Sequence, residues 1–181
     1  MRVVAAYRPN PPGEGNSTAW WQHRMWLLEQ GDEREPRRAF MEDLCRALQT
    51  WLQDGEHIVV GMDANDDLRS GEVARTLERL GLEERILQRH RDRTPQATYH
   101  RNTKGKPIDG IFSSPGVPVL AAGYYDWDEA VTSTHRALWV DVSDNLLGHS
   151  PRENPAFPVR RLRTDDPRRV KTYLKHVDRR M

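Results

Sequence analysis

Cysteine is almost absent: Cys45 stands alone among 181 residues. One thiol excludes an intrachain disulfide and leaves a cysteine-based zinc site short of ligands. It also favours a reducing, intracellular setting. Long apolar runs are missing too. No stretch approaches the roughly 18 residues a membrane-spanning helix needs, and the N-terminus shows no signal-peptide pattern. Internal repeats and low-complexity tracts are not visible. Net charge is nearly nil, at +1, but the balance hides an asymmetry. From Arg152 onward ten Lys and Arg face four Asp and Glu, whereas the rest of the chain carries eighteen against twenty-three. An acidic body with a basic end fits contact with a polyanion near the C-terminus; a solvated segment is the plainer account.

What is present is a polar chain, 30% charged and 36% hydrophobic, long enough for one domain with a real core. Its patterning predicts an α/β class. Arg2 to Tyr7 reads as a strand, stopped by the turn run Arg8-Pro9-Asn10-Pro11-Pro12-Gly13. An apolar strand so early needs neighbours on both sides, so the chain is expected to begin partway through a domain. Ser17 is the expected N-cap of a helix over 18–30, ended by Gly31. Its Trp20, Trp21, Met25 and Leu28 fall at helical spacing and are expected in the core.

A second helix is predicted from Pro36 to Gln53, with Phe40, Leu44, Ala47, Leu48 and Trp51 as its stripe and Asp54-Gly55 at its end. Cys45 lies among Met41, Leu44 and Leu48, which reads as a packed thiol rather than a nucleophile. A third helix covers Glu72 to Leu80, and Leu82 to Arg91 reads as a shorter charged helical piece. From Thr94 the pattern changes to strands at Ala97–Tyr99, Ile108–Ser113, Val117–Tyr124 and Ala137–Val142. Asn145 to Pro158 is loop-like, and Asp165-Asp166-Pro167 opens a short basic helix. These readings divide the chain into a domain over 1–145 and a basic linker with a short helix over 146–181.

The stretch from His57 to Asn65 carries the first chemical signal. Ile58 to Val60 reads as a buried strand that delivers Asp63 and Asn65 to the point where the chain leaves the sheet. Ligands of α/β sheets bind at such strand ends, so the pair suggests a site. An Asx turn, with both side chains serving only local backbone, is the plainer account of this stretch taken alone. Asp66 and Asp67 follow; they are candidate metal ligands, though beside a helix start they read as caps.

Four pieces then stand in order: Tyr7-Arg8-Pro9-Asn10, Gly61-Met62-Asp63-Ala64-Asn65, Ile108-Asp109-Gly110-Ile111-Phe112 and Ser133-Thr134-His135-Arg136. In this order and spacing they resemble the endonuclease/exonuclease/phosphatase superfamily, over roughly 1–142. The resemblance implies the second half of that family's fold, a partial two-sheet α/β sandwich of the DNase I-like type. Its mixed sheet would be mainly antiparallel, with flanking helices. It further implies Mg²⁺-assisted hydrolysis of a phosphate ester. Asp63 is then the base or orienter for the attacking water and, with Asn65, a metal ligand. Asn65, Tyr7 and Asn10 would hold phosphate oxygens, and His135 would offset their charge. Asp109 would hold the other nitrogen of the imidazole.

Two departures shape the expectation. The family's N-terminal half carries an asparagine and a metal-ligating glutamate, for which nothing ahead of Tyr7 substitutes. Thr134 also stands where the family has an aspartate. Both predict weak Mg²⁺ binding and impaired activity of the isolated chain, since a hard cation wants carboxylate oxygens. Half a sandwich is further expected to bare apolar positions at Val3 to Ala5 and Ile58 to Val60, favouring self-association or a missing N-terminal half-domain as partner. The run 159–173 resembles the linker after endonuclease-like domains of reverse-transcriptase-encoding retroelements. That implies DNA as substrate and a downstream reverse-transcriptase domain as partner. The rival readings are a non-catalytic remnant binding nucleic acid or protein through the basic tail, and a phosphatase acting on a small phosphate ester.

Overall fold

The computed structural model describes residues 1–12, 18–91, 96–100, 105–127 and 133–147. The expected N-cap Ser17 and nearly all of the basic C-terminal stretch lie outside them. The chain is mixed α/β, and two sheets organise it. The first has four strands in the order β1 (Arg2–Tyr7), β2 (Ile58–Asp63), β4 (Asp109–Ser113), β3 (Glu83–Glu84). The second pairs β5 (Val119–Tyr124) with β6 (Leu138–Val142). Only β1 and β2 run parallel; the other pairings are antiparallel. A parallel pair needs a crossover, and here it passes through α1 (Thr18–Glu29) and α2 (Pro36–Gln53).

Helix α2 forms where the sequence says it should. Pro36 fills its first turn, Glu35 caps it by accepting from the Arg38 N–H, and Gly55 follows its end at φ +75°. Buried Leu48 and Met41 pack on Ile58, Val60 and Met62 of β2 and on Phe112 of β4. Helix α3 (Glu72–Arg79) adds Val73 and Leu77 to the same cluster. On the opposite face, Val59 and Ile111 pack with Ile86 of α4 (Arg85–Arg89) and with Val117 and Ala122. Strands β2 and β4 are thus covered on both sides, which is why Ile58-Val59-Val60 is an unbroken apolar run.

Several expectations change in the folded chain. Val3 on β1 is 71% exposed, but Ile58 and Val60 are buried under α2 and α3, and Val59 is buried on the opposite face, where β5 and β6 supply cover. Trp21, Met25 and Leu28 are exposed rather than core, and Leu27 is the residue of α1 that is buried. Apolar side chains occupy almost every face of α1, so helical spacing alone could not select the inward one. Leu82 to Arg91 is not one helix. Glu83 and Glu84 pair with Ser113 and Phe112 at the edge of β4 before α4 begins. The Glu84 side chain accepts from both Leu87 N–H and Ile111 N–H, so it caps α4 and ties it to β4. Ala97 to Tyr99 is reduced to a single bridge between Tyr99 and His135.

Cys45 is partly buried on α2, and burial raises its thiol pKa, as befits a packed, unreactive side chain. Among the described residues no helix is long and apolar enough to cross a membrane.

Candidate functional site

Strand register builds the site. Tyr7 lies opposite Asp63 across β1 and β2, and Asp63 lies opposite Asp109 across β2 and β4. Directly opposed residues share a sheet face, so one row sets an aromatic hydroxyl and two carboxylates side by side. His135 arrives from a different direction. The Tyr99–His135 bridge is flanked by hydrogen bonds from His100 N–H to the Thr134 carbonyl and from Arg136 N–H to the Thr98 carbonyl, both 2.8 Å. Thr98, fully buried, anchors this segment to β4 by accepting at Oγ1 from the N–H groups of Ile108 and Asp109, at 2.9 and 3.0 Å. The Tyr99 ring lies against the His135 ring, 4.8 Å between centroids.

The resulting geometry is specific. His135 Nδ1 is 3.0 Å from both carboxylate oxygens of Asp109, and Asp109 is 7% exposed. Nδ1–H therefore donates to Asp109, which leaves Nε2 facing Asp63 Oδ2 at 4.0 Å. Asp63 divides its two oxygens. Oδ1 accepts from the Asn65 N–H at 3.0 Å, the Asx turn anticipated from the sequence, and Oδ2 faces the imidazole. The local turn and the site are thus not competing explanations; one carboxylate serves both.

Asn65 sits at φ +46°, and its Nδ2 donates to the Arg8 carbonyl at 2.7 Å, so the amide is anchored through its nitrogen. Tyr7 is exposed beside Asp63. Asn10 is exposed and makes no hydrogen bond with another described residue, so nothing in its contacts ties it to the cluster. Asp66 and Asp67 are turned elsewhere: Asp66 Oδ2 accepts from Val73 N–H in the first turn of α3, and Asp67 pairs with Arg69 at 2.7 Å. They are caps and surface ion pairs. Thr134 is exposed, and its carbonyl takes part in the bridge that positions His135.

Neither a family model nor a curated protein matches this chain. The function therefore has to be argued from the site itself.

Asp63, Asp109 and His135 form a cluster that could hold a metal ion, each offering one ligand atom within 4.8 Å of the others. The fold makes Asp63 harder to ionise. Burial first, then the nearby Asp109 carboxylate, raise its pKa, against smaller opposing effects of the Asn65 N–H and His135. The unfolded chain titrates Asp63 at its ordinary value, so between that value and the raised one the folded state holds more protons. Ionising Asp63 therefore removes stability as pH rises through this window. Asp63→Asn, which keeps an acceptor for the Asn65 N–H, is expected to raise Tm at neutral pH. It should leave Tm unchanged near about pH 3, where the group is protonated in both states. Thermal melts at the two pH values check this, and an equal shift at both would show that the gain is not electrostatic.

Sequence reasoning missed Thr98, Tyr99 and Arg37. Thr98 and Tyr99 lay in a predicted strand with no chemical motif, and only the pairing with 134–136 reveals their role. Arg37 lay among helix-start residues and carried no signal at all.

Proposed function

We propose that this chain carries a metal-assisted phosphodiester hydrolase site of the DNase I-like type, with DNA as its substrate. The observation that carries the reading is the clamped imidazole: His135 held through Nδ1 by Asp109 while Nε2 faces Asp63. With the ring protonated, that arrangement presents one N–H donor and one carboxylate to the same point, as the attack of water on a phosphoryl centre requires. Convergence of the four sequence motifs on this point adds support, as does the surplus of basic residues after Arg152, which suits a polyanion.

The donor set fits a hard divalent cation. Nδ1 of His135 is already engaged, so the oxygens of Asp63 and the Asn65 amide are the groups that would hold Mg²⁺. Few protein ligands suit an ion that keeps several of its waters. When bound, Mg²⁺ would offset the charge that develops on the phosphate oxygens. The chain's own residues do the rest. Asp63, made more basic by its burial, accepts the proton of the attacking water as its oxygen bonds to phosphorus. His135 in its protonated form donates from Nε2–H, and Tyr7 from its hydroxyl, to the phosphate oxygens while the bond to the leaving alkoxide breaks; solvent then protonates that alkoxide.

Nicking of supercoiled plasmid and of an abasic-site duplex tests the proposal. Only slow cleavage at high Mg²⁺ or Mn²⁺ is expected, since Thr134 and the lack of a metal-ligating glutamate ahead of Tyr7 weaken metal binding, and it should stop when EDTA removes the metal. Cleavage indifferent to EDTA, or no cleavage of either substrate with any divalent ion, would sink it. Should the chain bind DNA without cleaving it and lose that binding when 149–181 are removed, the non-catalytic reading takes its place. Release of inorganic phosphate from small phosphate esters, with DNA untouched, would select the phosphatase reading.

A further inference from the structure

We infer that Arg37 is a positioning residue for Asn65, acting as a clasp between the loops that leave β1 and β2. The inference rests on the hydrolase reading for its kinetic consequence; the structural half stands by itself. Arg37 occupies the first turn of α2, where the positive end of the helix dipole disfavours a cation. It is also half-buried, and burial together with the neighbouring Arg8 guanidinium lowers its pKa. The nearby carboxylates of Glu35, Asp66 and Glu72 act the other way, and the guanidinium is fixed in place by specific hydrogen-bond partners.

It has two, and they lie in different loops. One terminal nitrogen donates to the Pro9 carbonyl at 2.7 Å and the other to the Asn65 carbonyl at 3.2 Å. The planar fork of a guanidinium can span two carbonyls that a point-like ammonium cannot serve with the same geometry. Asn65 returns the tie by donating from Nδ2 to the Arg8 carbonyl at 2.7 Å. The loops are thus joined twice, once through each end of the same residue.

Asn65 needs this support. Its φ of +46° lies in the left-handed region, which persists only where the surroundings enforce it. Its N–H is bonded to Asp63 Oδ1, so movement of the Asn65 backbone also releases that carboxylate. Arg37 touches neither the imidazole nor Asp109; its influence on the site passes through Asn65.

A double-mutant cycle tests the clasp in the full chain. Arg37→Met is expected to lower kcat for Mg²⁺-dependent plasmid cleavage by ~10–100-fold, the scale of an ångström-level misplacement, with KM changed by less than about threefold. In an Asn65→Ala background the same substitution should cost less than in the wild type, because the amide it positions is gone while the backbone carbonyl and N–H it steadies remain. Equal losses in both backgrounds, or a kcat unchanged by Arg37→Met, would overturn the inference. Arg37→Lys, which keeps the charge without the fork, should fall between wild type and Arg37→Met, and it carries the cycle if the methionine variant does not fold. If the unmodified chain cleaves nothing, the hydrolase reading fails alone, and the clasp is judged by NMR. The Asn65 side-chain NH₂ resonances should then shift and exchange at least ~10-fold faster in the Arg37 variants. Unaltered Asn65 resonances would overturn it.

Discussion

Replacing His135 by alanine is expected to reduce metal-dependent phosphodiester cleavage by about 10²–10⁴-fold, the usual contribution of a positioned acid or base. In its protonated form the ring supplies a donor, Nε2–H, that faces Asp63 across 4.0 Å. No other described side chain belongs to that cluster except the two carboxylates, which cannot donate when ionised. Asp109→Asn should fall in the same range although it preserves size and shape. An amide accepts at one atom only, so the ring loses the paired 3.0 Å contacts that now fix its orientation. Initial rates of plasmid nicking at saturating metal, with circular dichroism to confirm folding, measure both effects. Rates within about threefold of wild type for either variant would remove His135 and Asp109 from the mechanism.

Phe112→Ala is expected to destabilise the chain by about 3–5 kcal/mol, the range for truncating a buried aromatic side chain. Phe112, in β4, is 1% exposed and packed into the cluster that joins α2, β2 and α3. It also lies opposite Val60 and Glu84, so two strand pairings meet at its position. Val3→Thr is the control. Val3 is as apolar as many core residues but 71% exposed on the edge strand β1, so its replacement should stay within about 0.5 kcal/mol. Urea unfolding of the two variants separates the cases through their midpoints. A loss at Phe112 below about 1 kcal/mol would mean that the sheet does not depend on this contact.

The members of this candidate site are legible in the sequence only as separate pieces. Asp63 and Asn65 announced themselves by their place after an apolar run, and Asp109 and His135 by motifs on other predicted strands. None of those motifs states a distance. The 3.0 Å contacts between residues 109 and 135 depend on Thr98 bonding two N–H groups of the β4 entry and on the bridge at Tyr99. Both belong to a stretch that sequence patterning treated as an ordinary strand. Arg37 was invisible for a related reason: its two acceptors are backbone carbonyls, which every residue possesses and no motif can mark.

The sequence by itself determined what short-range rules govern. Pro36, Glu35 and Gly55 set the limits of α2, Gly81 ended α3, and the β-branched run at Ile58 marked a buried strand, because caps, turns and apolar periodicity act within a few residues. Tertiary structure alone decided which apolar residues went inside. It buried Leu27 and left Trp21 and Met25 out, and it covered both faces of β2 while leaving Val3 bare. It alone also brought Tyr7, Asp63 and Asp109 into one row and set His135 against them. The reason is physical: strand register and helix facing are fixed by packing between segments far apart in the chain, where one sequence pattern is compatible with several neighbours and only the assembled core selects among them.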